Sequence, residues 1–483
     1  MENQVRVRFA PSPTGYLHVG GLRTALYNFL FAKHFGGKFI LRIEDTDQSR
    51  KVEGAVENLI ETLKWSGVGY DEGPDCGGDY GPYVQSQRLK LYRKFAEELI
   101  SKEKAYHCFC TSERLQEVRQ KQLAAKLSPS YDRHCRNVPG GEAEHRIAAG
   151  EKYVIRMKIP LDGELTFDDV IRGKVTISHK MIDDQVLIKS DGFPTYHLAV
   201  VVDDHLMGIT HVIRGEEWLS SVPKHILLFQ YFGWEVPVLA HLPLLLNPDK
   251  SKLSKRQGDV AVEDYRAKGY LKEAMVNFIA FLGWNPGDER EIFFLEQLVR
   301  EFTLERVGKS GAVFNVEKLN WLNQQHIKLK SNEELARLIK PHFDSVLLTG
   351  LDDNYFLKVI GVLKERLIFP KDFIEMSLYF FRDPVSFDEA GLKKYCEPET
   401  NALLMLLADR LESLSEYSHR FIETALRQLA EELKIKPTKL IHPTRLALSG
   451  KTIGPGLFEM IELLGKETVV RRLRRAAKIF QSD

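Results

Sequence analysis

The sequence predicts an α/β domain with a parallel sheet, interrupted by a smaller α+β segment and followed by all-α domains. Strand and helix patterns alternate over roughly the first hundred residues, and short β-rich pieces follow after residue 106. Beyond about residue 260 the apolar spacing is almost wholly helical. Alternating strands and helices are typical of a parallel sheet, whereas continuous helical spacing is typical of bundles.

The first two strands define where a ligand would bind. Val5–Ala10 reads as a strand, Leu22–Leu30 keeps helical spacing, and Lys38–Ile43 reads as the second strand. Ligands of parallel sheets bind at the carboxyl ends of the strands. We therefore expect Pro11–Gly21 and Glu44–Asp47 to lie at the site.

The remaining elements follow the same patterns. Helical stripes begin at Val52 and Leu89, and β-rich pieces follow at Tyr153–Ile159 and Lys174–Ser178. The alternation resumes over these segments, in chain order: Gln185–Lys189, Tyr196–Val202, His211–Arg214, a helix near 220–232 and a strand before Asn247. No internal repeat or low-complexity tract was found.

Composition limits the class of protein. The 483 residues are 43% apolar and contain no apolar stretch near the roughly 20 residues that span a bilayer. Five cysteines and the absence of a signal-like start predict a reduced, cytoplasmic chain without a disulfide framework. A net charge of +1 argues against a uniformly basic protein that coats nucleic acid, so any RNA contact must come from local patches. The basic run Arg471–Arg475 is attributed to the end of a helix rather than to RNA.

Two short stretches indicate nucleotide chemistry together. Pro11–Gly21 forms a strand-to-helix turn whose N–H groups suit a phosphate, and Lys252–Arg256 supplies two lysines. Gly20 and Gly21 let the backbone lie against a base or ribose, while His18 can donate to a phosphate oxygen as charge develops. Neither a kinase-type phosphate loop nor a dinucleotide fingerprint occurs.

This pair of stretches resembles the two signatures of class I aminoacyl-tRNA synthetases. Further segments resemble bacterial glutamyl-tRNA synthetases, over about residues 5 to 477. They are Arg42–Asp47, Asp191–His197, Val202–His205, Ile213–Trp218 and Gly454–Phe458.

The resemblance implies both an architecture and an activity. Residues 1–105 and 190–259 would be the halves of a Rossmann-like catalytic domain, and 106–189 an inserted subdomain for the tRNA acceptor end. Residues 260–330 would be a helical connector and 331–483 a helical anticodon-binding domain. The implied enzyme is a ligase that uses ATP and Mg²⁺ to join L-glutamate to tRNA(Glu), usually with tRNA required for activation. Because one chain carries every required part, a monomer is the simplest expectation.

The site residues come partly from chemistry and partly from the resemblance. Arg8 and Arg214, at two strand ends, would suit a substrate with two carboxylates, and Glu44 would hold an ammonium group. The resemblance implies three sets. Glutamate would contact Arg8, Ala10, Ser12, Glu44, Tyr196 and Arg214. ATP would contact Gly15, His18, Gly20, Gly21, Ser254 and Lys255, with His18, Lys252 and Lys255 catalytic.

In the implied enzyme, a guanidinium facing the side-chain carboxylate of glutamate would account for discrimination against glutamine. The charge-assisted bond contributes about 1.5 to 3 kcal/mol, and an amide would present N–H donors to the guanidinium instead. Such polar complementarity can reject the wrong substrate about 10⁴-fold without editing.

A cysteine cluster predicts a structural zinc site in the insertion. Cys108, Cys110 and Cys135 would supply three thiolates of a tetrahedral site. Relatives often carry a histidine two residues after the third cysteine, where this chain has Asn137. Tyr131 is the preferred fourth ligand, because related proteins carry a tyrosine at this spacing, and His134 and His107 remain alternatives.

Other functions would use parts of the same sequence pattern. A synthetase that charges both glutamate and glutamine tRNAs would differ at the anticodon domain, where Arg366 resembles the arginine that reads the third anticodon base. A truncated relative that glutamylates a tRNA base would lack the C-terminal helices, and a nucleotidyltransferase would not need them. A non-catalytic RNA-binding scaffold would have no need for His18, Glu44 and Arg214 together with both lysines.

Overall fold

The computed structural model describes residues 4–253, 261–343 and 351–480. The chain divides into two compact units: residues 1–267 with 272–316, and residues 268–271 with 317–483. Ser254 and Lys255, which were expected at the ATP site, lie outside the described residues. None of the helices in the described part of the chain is long and apolar enough to cross a membrane.

The first unit begins with a strand, a helix and a parallel strand. β1 (Arg6–Phe9) pairs with β2 (Lys38–Leu41) in the register Arg6 to Lys38, and α1 (Val19–His34) connects them. Most of α1 is buried because its apolar residues cover nearly all faces. The helix ends before Gly36, whose φ of 63° continues the chain in a left-handed conformation.

A second sheet brings distant segments together. Its strand order is β6, β5, β9, β8, with β5 parallel to β9 and β8 parallel to β9. The strands are β5 (Glu164–Asp169), β6 (Gly173–Ser178), β8 (His211–Gly215) and β9 (Val238–Leu242). Thr210, before β8, accepts a hydrogen bond from the Arg6 N–H, so this sheet lies beside β1.

The segment predicted to be an insertion, residues 106–189, contributes to two sheets. β3 (Ala105–Cys108), β4 (Val154–Met157) and β7 (Val186–Ile188) form an antiparallel sheet of their own. The other two strands of the segment, β5 and β6, extend the sheet that holds β8 and β9. The insertion is therefore continuous with the sheet beside β1.

The other elements of the first unit are helices and one short strand pair. They are α2 (Ala55–Ser66), α3 (Leu89–Ser101), α4 (Ser112–Ala124), α5 (Gly140–Ala148), α6 (Tyr196–Leu206), α7 (Val222–Phe232), α8 (Val262–Lys268), α9 (Lys272–Ala280), α10 (Leu295–Glu301), β10 (Leu245–Leu246) and β11 (Ala312–Val313). The apolar core of this unit includes α3, α6 and α7 packed around the strands.

The described part of the second unit is helical. Its elements are α11 (Val316–Leu329), α12 (Asn332–Ile339), α13 (Asp353–Leu363), α14 (Asp372–Phe381), α15 (Glu389–Tyr395), α16 (Thr400–Glu412), α17 (His419–Glu432), α18 (Thr438–Ser449), α19 (Leu457–Leu464) and α20 (Lys466–Ile479). The predicted fold class, an α/β part followed by an all-α part, is confirmed.

The basic run near the C-terminus is occupied within its own unit. Arg471 and Arg472 pair with Asp383, and Arg474 pairs with Asp409 and Glu412. Arg472 is buried and also donates to main-chain carbonyls of α14 and α18. These contacts fix the run within the helical unit.

Candidate active site

One cavity of about 880 Å³ opens at the carboxyl ends of β1 and β8. It brings together every described residue of the predicted glutamate and ATP sites. Those lining it are Arg8, Ala10, Ser12, Gly15, His18, Gly20, Gly21, Glu44, Tyr196, Arg214 and Lys252. The two loops that follow β1 and β2 are joined there, since the Glu44 N–H donates to the Pro11 carbonyl.

His18 caps the helix that faces the cavity. It precedes α1 with extended backbone angles, and its Nδ1 accepts a hydrogen bond of 3.0 Å from the Gly21 N–H. An acceptor nitrogen cannot carry a proton, so the proton of neutral His18 resides on Nε2. The cap thus selects the tautomer that can donate to a phosphate oxygen, beside the positive end of α1.

Little space is left for a side chain at the two glycines that begin α1. A Cβ on Gly21 would lie 2.6 Å from the Leu17 side chain, closer than real contacts allow. A Cβ on Gly20 would lie 3.1 Å from His18 Nδ1 and would crowd the cap. Both positions therefore preserve the first turn of α1.

The amino-acid end of the cavity rests on a buried charge network. Arg8 donates from Nε and Nη2 to Asp204 of α6, at 3.0 and 3.2 Å. Arg42, fully buried, also reaches Asp204 at 2.8 Å and donates to Glu44 Oε1 at 3.1 Å. Although burial pushes the pKa of Asp204 upward, the two guanidinium groups hold it below its usual range.

Glu44 is the titratable group of this network. Burial raises the pKa of Glu44 to about 7, even though Arg42 and Arg8 favour its charged form. A carboxyl group of this kind lies near its titration point at neutral pH. It can become fully ionised when a cation, such as an amino acid's ammonium group, binds beside it.

Arg214 is the second-last residue of β8 and is held by neutral groups. Its Nε donates to His241 Nε2 at 3.1 Å, and its Nη1 donates to the Tyr196 hydroxyl at 2.9 Å. Its Nη2 lies 3.3 Å from His225 Nδ1. Tyr196 in turn packs on Trp218, with ring centroids 4.2 Å apart, so the hydroxyl is fixed in direction.

Lys252 lines the cavity next to β10. It is exposed, and the strand-like contact between Leu246 and Lys252 places this residue beside the described end of the lysine loop. An exposed ammonium at this position suits the phosphate end of a nucleotide.

The three cysteines of the insertion come together away from the cavity. Their sulfur atoms all lie within 4.8 Å of one another, with Cys110 and Cys135 3.6 Å apart. The Tyr131 hydroxyl lies 3.2 Å from the Cys108 sulfur and 3.5 Å from that of Cys110. The ligand atoms grouped here, among the residues described, include neither His107 nor His134.

The sequence did not predict the groups that hold Arg8 and Arg214 in place. Asp204 lies in the Val202–His205 segment, and its role follows from its hydrogen bonds with Arg8 of β1. His241, Asp169 and His225 had no sequence signal, since they lie on other strands and helices far along the chain. The register of β8 with β9, which sets Arg214 opposite His241, reveals one of them.

Comparison with known families defines the class. The family described as tRNA synthetases class I (E and Q), catalytic domain, matches residues 4–321. The family described as anticodon binding domain matches residues 334–477. Together with the cavity at the strand ends, these matches make this a class I aminoacyl-tRNA synthetase of the glutamate and glutamine group.

Individual relatives narrow the assignment. The chain is 54% identical to a glutamate–tRNA ligase of Chloroherpeton thalassium and 53% identical to one of Chlorobium chlorochromatii. These alignments cover 98% of this chain in both cases, and 98% and 97% of the relatives. A crystal structure of a glutamate tRNA ligase from Elizabethkingia meningosepticum, in complex with its amino acid, superimposes with a TM-score of 0.91 at 42% identity, covering 99% of both chains. The chain belongs to the glutamate–tRNA ligase family, and the resemblance predicted from sequence is confirmed.

Proposed function

We propose that this protein activates L-glutamate with ATP, giving glutamyl-adenylate and pyrophosphate, and transfers glutamate to the 3'-terminal adenosine of tRNA(Glu). One observation carries the proposal: a single cavity joins the capped N-terminus of α1 to a pocket with two arginines and one carboxylate. The first part suits a nucleotide, and the second suits an amino acid with an acidic side chain.

The glutamate pocket divides the substrate's charges among Arg214, Arg8 and Glu44. Arg214 takes the side-chain carboxylate, because its present partners are neutral and leave its charge for the substrate. Glu44 takes the ammonium group, and Arg8, already paired with Asp204, borders the same space. Tyr196 and Ser12 orient the substrate through their hydroxyl groups, and Ala10 leaves room beside the strand.

Activation depends on placement and charge. An oxygen of the substrate α-carboxylate attacks the α-phosphorus of ATP, and the bond from that phosphorus to the bridging oxygen breaks, so pyrophosphate leaves with the electron pair. His18 Nε2–H and Lys252 stabilise the added negative charge, and Lys255 and Ser254 of the same loop are proposed to contact the nucleotide as well. Gly15, Gly20 and Gly21 border the nucleotide. Mg²⁺ would neutralise phosphate charge while held mainly by phosphates and water.

The cysteine cluster fits a structural zinc ion. A tetrahedral ion with Zn–S bonds of about 2.3 Å requires sulfurs about 3.8 Å apart. Cys110 and Cys135 are 3.6 Å apart, and Tyr131 supplies an oxygen beside Cys108 and Cys110. Cys108, Cys110, Cys135 and Tyr131 would hold the ion, which would crosslink the start of the insertion to its middle.

The tRNA contacts are assigned by unit. Residues 106–189 are proposed to take the acceptor end, with 1–105 and 190–259 forming the catalytic halves, 260–330 the connector and 331–483 the anticodon-binding domain. Arg366, which ends the short turn after α13, is exposed and is proposed to read the third anticodon base. That role favours strict charging of tRNA(Glu).

Pyrophosphate exchange tests the activation step. The purified protein is incubated with ATP, labelled pyrophosphate and either glutamate or glutamine, with and without total tRNA. We expect label in ATP with glutamate and tRNA, and none above background with glutamine. A folded protein that binds ATP but shows no exchange with either amino acid would refute the proposal and favour a non-catalytic RNA-binding scaffold.

A further inference from the structure

Arg214 differs from the other arginines beneath the cavity in what holds it. Arg8 and Arg42 both pair with the Asp204 carboxylate. Arg214 forms hydrogen bonds with His241, Tyr196 and His225. Within the described ranges, 4–253, 261–343 and 351–480, it forms no ion pair with a carboxylate. It is nevertheless 6% exposed, so it is as buried as a paired arginine. A buried guanidinium without a carboxylate binds an incoming carboxylate strongly, since its charge is uncompensated.

The partner on Nε fixes the protonation state of His241. Guanidinium nitrogens only donate, so His241 Nε2 must accept, and His241 is neutral with its proton on Nδ1. That Nδ1–H lies 2.6 Å from Asp169 Oδ2, and both side chains are fully buried. Burial lowers the pKa of His241, which keeps the ring neutral despite the adjacent carboxylate.

Asp169 is itself fixed by the main chain. Its Oδ1 accepts from the N–H groups of Ile171 and Arg172, at 3.0 and 2.8 Å. The hydrogen bonds to Asp169 hold its pKa low although burial raises it, so Asp169 stays ionised. The chain of contacts from β5 through β9 to β8 therefore sets one tautomer and one direction for the Arg214 side chain.

We propose that Asp169 and His241 act as a positioning pair that determines specificity for a substrate with a side-chain carboxylate. They hold Arg214 through a neutral acceptor, so its direction is fixed while its charge stays available to the substrate. Glutamine, whose amide would bring N–H donors toward this charge, is disfavoured. The inference rests on the assignment of Arg214 to the side-chain carboxylate under the proposed function.

Two variants of His241 distinguish the roles of its two ring nitrogens. In His241→Gln the longer amide reaches the position of Nε2 and keeps an acceptor for Arg214, whereas the shorter amide in His241→Asn reaches only the position of Nδ1. We expect His241→Asn to raise the glutamate KM by about tenfold or more, the loss of one bond to a charged group. His241→Gln should stay within about threefold of the original enzyme, because it keeps the contact to Arg214. The ATP KM should not change in either variant.

Asp169→Asn changes the tautomer with little change in shape. Its carbonyl oxygen keeps the donors of Ile171 and Arg172, so its NH₂ group faces His241 Nδ1 and moves the ring proton to Nε2. That proton then faces the Arg214 Nε–H. We expect the glutamate KM to rise about tenfold or more and the glutamine inhibition constant to change less, narrowing discrimination.

The experiment measures exchange kinetics and the His241 tautomer in the full-length chain. ¹⁵N chemical shifts of labelled histidine should show an unprotonated Nε2 and a protonated Nδ1 in the original enzyme, and this signal is assigned by its loss in His241→Gln. His179→Asn, a buried histidine bonded to the Asp162 carbonyl outside the cavity, is the matched control for the cost of replacing a histidine. It should leave the glutamate KM unchanged.

Each result has one meaning. Equal changes in the glutamate KM of His241→Asn and His241→Gln would overturn the proposal. An unchanged glutamate KM in Asp169→Asn would also overturn it. So would a protonated Nε2 in the original enzyme, a result that does not depend on any variant folding well. If Arg214→Gln raises the glutamate KM but the His241 and Asp169 variants do not, the positioning pair is refuted and the proposed function stands. A normal glutamate KM in Arg214→Gln would refute the assignment of Arg214 and this proposal together.

Discussion

Arg8 and Asp204 form a two-bond ion pair beneath the amino-acid end of the cavity, with both side chains buried. The pair links β1 to α6, and Arg42 lies against the same carboxylate. Arg8 therefore has a structural role in addition to its proposed contact with the substrate. Arg214 is held by neutral groups, so the folded structure depends less on its charge than on the charge of Arg8.

The two arginines should therefore respond differently to replacement. Arg8→Met removes one of two cations from Asp204 and should lower both thermal stability and activity. The stability loss should be below the roughly 3 to 5 kcal/mol of stranding a buried charge, because Arg42 remains. Arg214→Met should mainly raise the glutamate KM. Thermal unfolding and pyrophosphate-exchange kinetics of both variants test this difference. A larger stability loss in Arg214→Met than in Arg8→Met, with normal exchange kinetics, would contradict the assignment of Arg214 to the substrate.

Glu44 should make glutamate use depend on pH. Because its pKa is raised to about 7, the ionised form, which is proposed to bind the ammonium group of glutamate, is lost as pH falls below that value. We expect kcat/KM for glutamate to be level above pH 7 and to fall up to about tenfold per unit below it. In Glu44→Gln the value should be low and this limb absent. An acid limb that persists unchanged in Glu44→Gln would assign it to another group.

The raised pKa of Glu44 also makes the stability of the fold depend on pH. The folded state holds the Glu44 proton more tightly than the unfolded chain, so this group favours folding at low pH. Its contribution is lost as pH rises toward 7 and above. Glu44→Gln should therefore gain stability relative to the original protein at neutral pH, measured by denaturant unfolding, and less so near pH 5. A Glu44→Gln protein that is less stable at neutral pH would contradict the raised pKa.

His18 should have separable roles in capping and catalysis. Asparagine caps helices well, so His18→Asn should keep α1 stable while losing the Nε2 donor. We expect kcat for activation to fall about 10²- to 10³-fold with little change in unfolding. His18→Ala should show the same kinetic loss and a further cost of about 1 kcal/mol in stability. Full activity in His18→Asn would exclude His18 from the chemistry.

The cysteine cluster should bind about one zinc ion per chain, measured by metal analysis of protein from zinc-supplemented growth. Cys135→Ser should lose the ion, and Tyr131→Phe should bind it more weakly. Cys76, exposed and remote from the cluster, provides the control, since Cys76→Ser should keep the ion. Removal of zinc by a chelator should lower thermal stability. Protein without zinc after zinc-supplemented growth would refute the site. Equal zinc affinity in Tyr131→Phe and the original protein would refute Tyr131 as a ligand.

Arg366 should control which tRNA is charged. Arg366→Gln should raise the charging of tRNA(Gln) relative to tRNA(Glu), because it removes the guanidinium that is proposed to read the third anticodon base. Lys371→Gln changes a nearby exposed cation and should leave the ratio unchanged. Equal ratios in both variants would place the selection elsewhere.

Local patterns were sufficient for the elements and for the placement of the ligand loops. The alternating Val5–Ala10 run, the glycines before Lys38 and the amphipathic stripe of α3 each indicate one structure. The β-branched run Val200–Val202 is compatible with a strand or a buried helix, and the structure shows the helix α6. Tertiary burial decided between them.

The supporting residues could not be read from the sequence because they depend on pairing. Asp169 lies 72 residues before His241, and they meet only because β5 and β9 are neighbours. Asp204 reaches Arg8 across 196 residues through the packing of α6. The fourth position at the cysteine cluster was left open among three residues, and distances place Tyr131 nearest. The domain limits, the cytoplasmic location and the monomeric state stay predictions.

The most direct test of the proposed activity is aminoacylation of a purified tRNA(Glu) transcript with labelled glutamate and ATP. The account predicts alkali-labile label on the tRNA that depends on an intact 3'-terminal adenosine, and little label when a tRNA(Gln) transcript or labelled glutamine is used instead. Absence of label from tRNA(Glu), with folded protein and active ATP, would contradict it.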